Sequence, residues 1–346
     1  MLSELSVSPS PHVSKPMSTR SIMIDVIVGL TPAMLAALVF FRIRAVVLIL
    51  TCVIACLVTE WLCNLIRKRP HPGASLLDMS APVTGVILAL SLPPHLPWWA
   101  AVIGSAVSIA IGKMVFGGLG SNIFNPAMVG RTFLAASFGV LMTTWTVPAT
   151  LEDSMPRIEP GAQSVDTRTQ ATPLAWSKEA LKAENDQDRQ GAIDAVDLQL
   201  SRLFVGEVGG CLGETGALWL LLGGVYLLVR KVISFHIPLA VLTGAFVFAV
   251  GTCWGKPGAC ILPWSHLFSG GLLLCALFIA TDPVTAPLTR RGMWIFGLGI
   301  GLITMLIRVV GEYPEGVMYA VLLMNAVTPL IDRLCQRIPM GGKIGG

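Results

Sequence analysis

The most informative property of this 346-residue sequence is how little charge it carries. Only 13% of its residues are charged and 54% are hydrophobic, with a mean hydropathy of +0.73. Soluble domains carry about 25% charged residues, so the composition excludes an ordinary soluble domain and indicates a membrane protein. The net charge of +4 is small. A nucleic-acid-binding surface needs a dense basic face, so we expect no nucleic-acid partner.

The sequence also lacks the usual motifs of metal and dinucleotide binding. Its eight cysteines show no CxxC spacing, and we predict no zinc or iron-sulfur ligands. Cys52, Cys56 and Cys63 share roughly one helical face, as small buried apolar residues do. No glycine fingerprint for a dinucleotide is present. We therefore assign no catalytic side chain, and any electrons that pass through this chain must enter and leave through other subunits.

Long apolar segments make up most of the chain. A spanning helix needs roughly 20 apolar residues, and we predict an all-α polytopic membrane protein with about ten spans. The third segment is short and ends in two prolines, which predicts a half-helix or a broken span. Such backbone survives at membrane depth only where protein or a cavity covers it. The predicted segments are 22–41, 45–66, 81–92, 98–116, 124–144, 214–229, 232–251, 265–281, 293–310 and 317–334.

The lysines and arginines predict the orientation of these segments. One set of ends carries thirteen bases, whereas the short loops at the opposite ends carry three. The richer set belongs in the cytoplasm, with both termini, and the polar N-terminus lacks the apolar core of a signal peptide. We expect a bacterial inner-membrane protein whose two five-span halves hint at an internal repeat. The expected regions are a cytoplasmic tail 1–20, membrane halves 21–144 and 214–335, a periplasmic loop 145–213 and a second tail 336–346.

The loop between the halves differs in composition from the rest of the chain. Residues 145–205 contain ten acidic and six basic residues and too few large apolar ones to build a core. Within it, Thr169, Ala171 and Thr172 form a Thr-x-Ala-Thr pattern. This pattern resembles the motif at which a transferase attaches FMN, through its phosphate, to a threonine hydroxyl. The modified residue would be Thr172, while Thr169 supports the local turn through backbone hydrogen bonds.

Two helix junctions carry further candidate ligands. Asn125 follows a glycine-rich run and precedes Pro126, so it suits a helix cap. The functional interpretation is a flavin cradle at the helix N-terminus, and the alternative is a capped turn. Asp282 directly follows the eighth segment, where an acidic residue is a functional hypothesis by default. Its alternative is an ion pair with Arg290 or Arg291.

Four more charged residues lie within or near the predicted spans. They have no partner that the sequence identifies, and they are Asp25, Glu60, Arg131 and Arg308. Cys253 and Cys260 flank a short external loop in which a disulfide is permitted. We favour two free thiols there.

Five blocks, in order along the chain, resemble the RnfD/NqrB family. Its members are membrane subunits of the Rnf ion-translocating oxidoreductase and of the related sodium-pumping NADH:quinone reductase, and the likeness is to the Rnf branch. The blocks are residues 83–94, 116–127, 169–172, 281–287 and 313–317 with 322–326. The position before Ala171 is often glycine in that family and is Gln170 here.

The resemblance implies FMN on Thr172, facing the periplasm, in a complex that moves electrons between ferredoxin and NAD and pumps Na⁺ or H⁺. The chain would act as one subunit of that redox-driven translocase and would not be active alone. Implied partners are the other membrane and peripheral subunits, the flavin transferase and membrane lipid. A second, non-covalent flavin, either riboflavin or FMN, is implied near Asn125 and Asp282.

Two other functions remain open at this point. The family's fold resembles that of urea channels, so the chain could be a solute channel or transporter whose broken helices at 81–94 and 116–127 line a pore. It could also be a purely structural membrane subunit. The Thr-x-Ala-Thr motif favours the redox function, because neither alternative has a use for it.

Overall fold

The computed structural model describes residues 18–145, 174–175, 178, 190–191, 193, 204, 206, 209–214, 216–255, 262–311 and 315–336. The attachment motif with Thr169, Ala171 and Thr172 lies outside the described residues, as does Cys260. All regular structure within the described ranges is helical. The predicted all-α class is therefore confirmed.

The first half of the chain forms six α-helices. A short 3-10 helix, Ala74–Asp78, precedes the third, and the fourth continues as a π-helix over Ala110–Met114. The six are α1 (Thr19–Phe41), α2 (Ile43–Ile66), α3 (Ser80–Leu90), α4 (Trp98–Ile109), α5 (Pro126–Ser137) and α6 (Gly139–Thr143).

The second half also forms six α-helices within the described residues. The fourth of them continues as a π-helix over Cys275–Ile279. They are α7 (Ala217–Val229), α8 (His236–Gly255), α9 (Pro263–Phe268), α10 (Leu272–Leu274), α11 (Arg290–Val310) and α12 (Val317–Leu334).

Five of these helices are long and apolar enough to cross a membrane: α1, α2, α8, α11 and α12. Shorter apolar helices, among them α3, α4 and α7, lie between them. Many large apolar side chains on the long helices are exposed, for example Val39 at 64% and Ile66 at 78%. Such a surface suits lipid rather than water. The protein is a polytopic membrane protein.

Two predicted continuous spans are broken in the structure. The fifth divides into α5 and α6 at Phe138, which leaves the helical geometry with ψ of 47°. The eighth divides into α9 and α10 at Ser269–Gly271, where Gly270 has φ of +66°. That conformation favours glycine. Hydropathy alone does not reveal these breaks, because the residues on both sides of each break are equally apolar.

The packing of the first half recurs in the second. The second helix packs along the helix after the broken element in both halves, as α2 against α4 and α8 against α11. Contacts between the halves join their first helices, α1 and α7, and their last, α5 and α12. The third element of each half also ends in similar segments, with prolines at 93 and 97 and at 283 and 287.

These corresponding segments lie at opposite ends of the bundle. The end of α3 is beside the residues that precede α7, since Leu212 N donates to Leu92 O at 3.1 Å. Ile279, at the end of the second-half element, instead lies beside Asn125. We call the end with Ile22, Asn125 and Asp282 the pocket end, and the end with Glu214 and Glu315 the loop end. The two halves are therefore inverted relative to each other.

A glycine contact holds the first helices of the two halves together. A Cβ added to Gly223 on α7 would lie 1.8 Å from the backbone oxygen of Gly29 on α1. The helices can approach this closely only because both positions lack side chains, as is common in membrane helix packing.

One cysteine differs from our expectation. Cys253 at the end of α8 is disulfide-bonded, so the favoured free thiol at this position is wrong. Six other described cysteines are free, including Cys211 and Cys275.

The contact between α1 and α7 gives a test of the fold. Gly223→Ala should destabilise the protein by about 1–3 kcal/mol, because the new methyl group overlaps the α1 backbone. The measurement is thermal unfolding in detergent. Gly251→Ala is the matched control, because a Cβ there meets nothing within 4 Å. Equal unfolding temperatures for the two variants would contradict the close approach of α1 and α7.

Candidate functional site

A cavity at the pocket end brings together the two junctions singled out in the sequence. Asn125 and Asp282 both line it, although 157 positions separate them in the chain. The other polar groups in its wall are Ser80, Thr84, Lys113, Asn122 and Thr281. Its apolar wall comes from α1, α3, α7 and the π-helix, with Ile22, Val83, Ile87, Leu227 and Phe278 among the residues. The inverted halves thus contribute to one site.

Asn125 has both of the roles considered for it. Its Oδ1 accepts from Met128 N at 3.3 Å, so it caps α5. Its Nδ2 points the other way and donates to Ile279 O at 3.4 Å, across the boundary between the halves. Nearby, the Oδ1 of Asn122 is buried and has no partner among the described residues. An unpaired buried acceptor is costly, so it marks a place where a ligand donor or a water fits.

Asp282 is held by its own turn. Its carboxylate accepts from Val284 N at 3.3 Å and from the hydroxyl of Thr285 at 3.2 Å. Between these described side chains, the alternative ion pair with Arg290 or Arg291 is not formed. The carboxylate keeps free lone pairs, since each oxygen can accept more than one hydrogen bond.

Lys113 forms part of the cavity wall, which the sequence did not predict. We counted it as a loop cation, but it lies on the π-helix with only 2% of its surface exposed. Its Nζ donates to both oxygens of Glu60 at 2.8 Å and to Ser80 Oγ at 2.6 Å. Ser80 Oγ in turn donates to Asp78 at 2.5 Å. The π-helix is the local signal of a functional position, although it cannot be read from the sequence.

The volume of the cavity limits what it holds in this conformation. About 60 Å³ is accessible to a water-sized sphere, within an envelope of about 720 Å³ that includes space open to solvent. Ligand pockets of drug size span about 300–1,000 Å³. The polar groups suit the edge of a flavin ring, with donors and acceptors in an apolar slot. The ring itself enters only if the lining side chains separate.

A second polar cluster lies at the loop end. Arg131 on α5 contacts Glu315, which precedes α12, and its Nη2 is 3.4 Å from Glu214 Oε1. All three side chains are at least nine-tenths buried. The cluster accounts for one of the unpartnered charges in the sequence. Its acidic partners were missed because they lie 83 and 184 residues away along the chain.

The cluster stabilises the break between α9 and α10. Glu315 Oε1 accepts from Gly271 N at 2.6 Å, at the start of α10. Arg308 donates to His266 O at 2.7 Å and to Ser269 O at 3.0 Å, at the end of α9. An acid therefore caps the helix N-terminus and a base caps the C-terminus, which is the electrostatically favourable arrangement. Asp25, the last of the four unpartnered charges, pairs with Arg230 and Tyr226.

The described residue nearest to Thr172 lies beside this cluster. Leu174 is 5% exposed. A Cβ on Gly270 would lie 2.7 Å from Leu174 Cδ1, 2.9 Å from Arg308 Nη2 and 3.4 Å from Glu315 Oε1. Two peptide units limit the separation of the Thr172 and Leu174 Cα atoms to about 7 Å. The attachment motif is thus tethered close to the buried charges.

Comparison with known proteins identifies relatives over nearly the whole chain. The NQR2, RnfD, RnfE family matches residues 6–341. The chain is 40% identical over 343 residues to a Clostridium ljungdahlii protein named as the D subunit of a proton-translocating ferredoxin:NAD(+) oxidoreductase complex, covering 97% of this chain and 96% of the relative. It is 42% identical over 335 residues to the D subunit of the Na(+)-translocating complex of Acetobacterium woodii, covering 96% and 94%. The D subunit of a Sodalis glossinidius ion-translocating oxidoreductase complex is 41% identical, covering 95% and 97%.

The Lys113–Glu60 pair gives a stability prediction. Lys113→Met should destabilise the protein by about 3–5 kcal/mol, because it leaves Glu60 charged and buried without its partner. The double variant Lys113→Met/Glu60→Leu should recover much of that loss, since an apolar pair needs no desolvation. Thermal unfolding in detergent measures both. If the double variant is less stable than the sum of the two single variants predicts, the pair is not coupled as the distances indicate.

Proposed function

The chain belongs to the NQR2, RnfD, RnfE family, and from this premise we propose that it is the membrane electron-transfer subunit of an ion-translocating ferredoxin:NAD⁺ oxidoreductase complex. We propose further that it carries FMN covalently on Thr172, through a phosphoester. The observation that carries the proposal is near-complete coverage of relatives with that named role, together with a Thr-x-Ala-Thr motif in the loop.

The contacts of Leu174 support Thr172 as the attachment point. A tether positions a cofactor only if the protein nearby is ordered, and Leu174 packs against Gly270 within two residues of Thr172. A phosphoester leaves the isoalloxazine ring unsubstituted. The flavin would supply the electron transfer, and the chain supplies its placement and surroundings.

The cavity at the pocket end is the place that we propose for a second, non-covalent flavin, riboflavin or FMN. Asn122 and Asn125 would present amide groups to the ring, and Asp282 would accept from a ring N–H or a ribityl hydroxyl. Lys113 places a positive charge in the same wall, which would favour the reduced ring where negative charge develops.

We propose that the complex lies in a bacterial inner membrane. Both termini and the pocket end would face the cytoplasm, and the loop 145–213 would face the periplasm. The chain would not act alone, since other membrane and peripheral subunits must deliver and remove its electrons. A flavin transferase would be needed for its maturation, and lipid would cover the exposed apolar helices.

Similarity does not choose the coupled ion. A relative named for protons is 40% identical to this chain and one named for Na⁺ is 42% identical. The relatives' names do separate the redox function from its main rival, because they describe oxidoreductase subunits and not solute channels.

The central test removes the attachment hydroxyl. Thr172→Ala should fold and insert normally, because an exposed substitution changes stability by only about 0.5 kcal/mol. Its band in a denaturing gel should lose flavin fluorescence, and electron transfer through the assembled complex should fail. Thr169→Ala should keep part of the fluorescence. Thr172→Ser keeps the hydroxyl, so a loss there reports recognition by the transferase. Full fluorescence of Thr172→Ala would move the attachment site elsewhere.

A second test addresses the non-covalent flavin. Asp282→Ala should weaken its binding roughly tenfold to a hundredfold, since a hydrogen bond to a charged group contributes about 1.5–3 kcal/mol. The flavin released from purified protein by denaturation should fall, while fluorescence of the covalent flavin in a gel stays. Asp25→Ala is the control, because Asp25 is a buried carboxylate toward the same end that does not line the cavity. Unchanged flavin release from Asp282→Ala would leave Asp282 as a turn-forming residue only.

A further inference from the structure

The buried cluster of Arg131, Glu214 and Glu315 has a role in the structure that capping alone does not explain. Glu315 caps α10 and contacts Arg131. Glu214 caps no helix of this break, yet its carboxylate lies within 4.8 Å of the Glu315 carboxylate and of the Cys211 thiol. Two carboxylates this close in a buried site repel each other strongly when both are ionised.

The hydrogen bonds distinguish the two carboxylates. Glu315 has a short contact with Arg131, a 2.6 Å hydrogen bond from Gly271 N and the Arg308 guanidinium nearby. These donors stabilise its negative charge. Glu214 has only long contacts, 3.3 Å from Cys211 N and 3.4 Å from Arg131 Nη2. Glu214 is therefore the carboxylate on which a proton costs least.

Other charged and titratable groups around the pair come from every neighbouring element. Arg131 comes from α5, Arg308 from α11, Cys275 from the π-helix and His266 from α9. Arg131 keeps its Nε and Nη1 without a partner among the described residues. Its side chain and that of Glu315 also line a cavity of about 30 Å³ that reaches Thr143 and Trp145. That volume holds one or two water molecules, which would hydrate the free guanidinium edge and connect the cluster to the loop.

A metal ion does not fit the same place. Cys211, Glu214 and Glu315 have the composition of a small cation site. However, Arg131 Nη2 lies 3.6 Å from Cys211 Sγ and 3.4 Å from Glu214 Oε1, while also contacting Glu315. The guanidinium nitrogen occupies the centre of the three ligand atoms. A proton needs no such space.

We propose that Glu214 binds a proton whose affinity is coupled to the redox state of the flavin on Thr172, an inference that rests on the proposed function. When the flavin accepts one electron from a redox carrier of a neighbouring subunit, the Glu214 carboxylate takes one proton from water at the loop end and forms an O–H bond. When the electron leaves to the next carrier, that bond breaks and the proton returns to water. Charge balances in each direction.

The size of the coupling follows from the tether. Leu174 links Thr172 to Gly270, beside Glu315. One added negative charge at about 10 Å, with an effective dielectric constant of about 20, raises the proton affinity of a carboxylate roughly tenfold. This is large enough to link the two events and small enough for the proton to leave again.

The test is the pH dependence of the midpoint potential of the Thr172-linked flavin, measured by spectroelectrochemistry on the full-length protein. Coupled uptake makes the potential fall as pH rises, because protonation favours the reduced state. We expect this dependence to be weaker in Glu214→Gln than in the wild type. Asp25→Asn is the matched control and should behave like the wild type, since Asp25 lies toward the other end of α7 with Arg230. Subtracting Thr172→Ala spectra isolates the covalent flavin.

Several results would overturn the proposal. An unchanged pH dependence in Glu214→Gln, or the same change in Asp25→Asn, would do so. A potential that follows the Na⁺ concentration at fixed pH would show a metal cation instead. If Glu214→Gln does not fold, redox-difference infrared spectra of the wild type decide, because reduction must produce a new protonated-carboxyl band. Loss of gel fluorescence in the wild type would be a failure of the proposed function and not of this inference.

Discussion

Buried charge at the broken helices is the constraint on which the rest of the structure depends. A helix that ends inside a membrane leaves backbone N–H and C=O groups without partners, at a cost of several kcal/mol each. Here Glu315 and Arg308 satisfy the two sides of the break between α9 and α10. Each of these charges then needs a partner of its own, and Arg131 from the other half supplies one for Glu315. The break therefore joins the two halves of the bundle.

The inverted arrangement places two different polar sites along one bundle. At the pocket end, the end of a second-half element meets Asn125 at the start of α5. At the loop end, the end of α3 lies beside the segment that precedes α7, and Glu315 lies at the start of α12. The first site is a cavity with amides, a carboxylate and a buried lysine. The second is a compact ion cluster, and only there does a described residue lie near the attachment motif.

The sequence allowed accurate prediction of what depends on local composition. The apolar segments, the short α3 and the cap at Asn125 could be identified because each has a signal within a few residues. The breaks at Phe138 and Gly270 could not, since hydropathy does not change across them. The partners of Glu60, Arg131 and Asp25 could not either, because they are distant in the chain and packing alone brings them together. Asn125 and Asp282 were assigned to one site by resemblance, and the structure places them around one cavity.

Lys113 shows why charge counting has limits in membrane proteins. Its position near the end of an apolar segment is typical of a loop cation that sets orientation. In the structure it is buried against Glu60 and Ser80. A neutral ion pair inside a bundle contributes nothing to the positive-inside asymmetry. It contributes instead to the electrostatics of the cavity that it lines.

Mass spectrometry of the tryptic peptide that contains Thr172 tests the central claim most directly. Cleavage after Arg168 and Lys178 releases residues 169–178, which include both threonines of the motif. The account predicts that this peptide carries the added mass of FMN less one water, and that fragmentation places it on Thr172. An unmodified peptide from the native complex, or a flavin on Thr169, would contradict it.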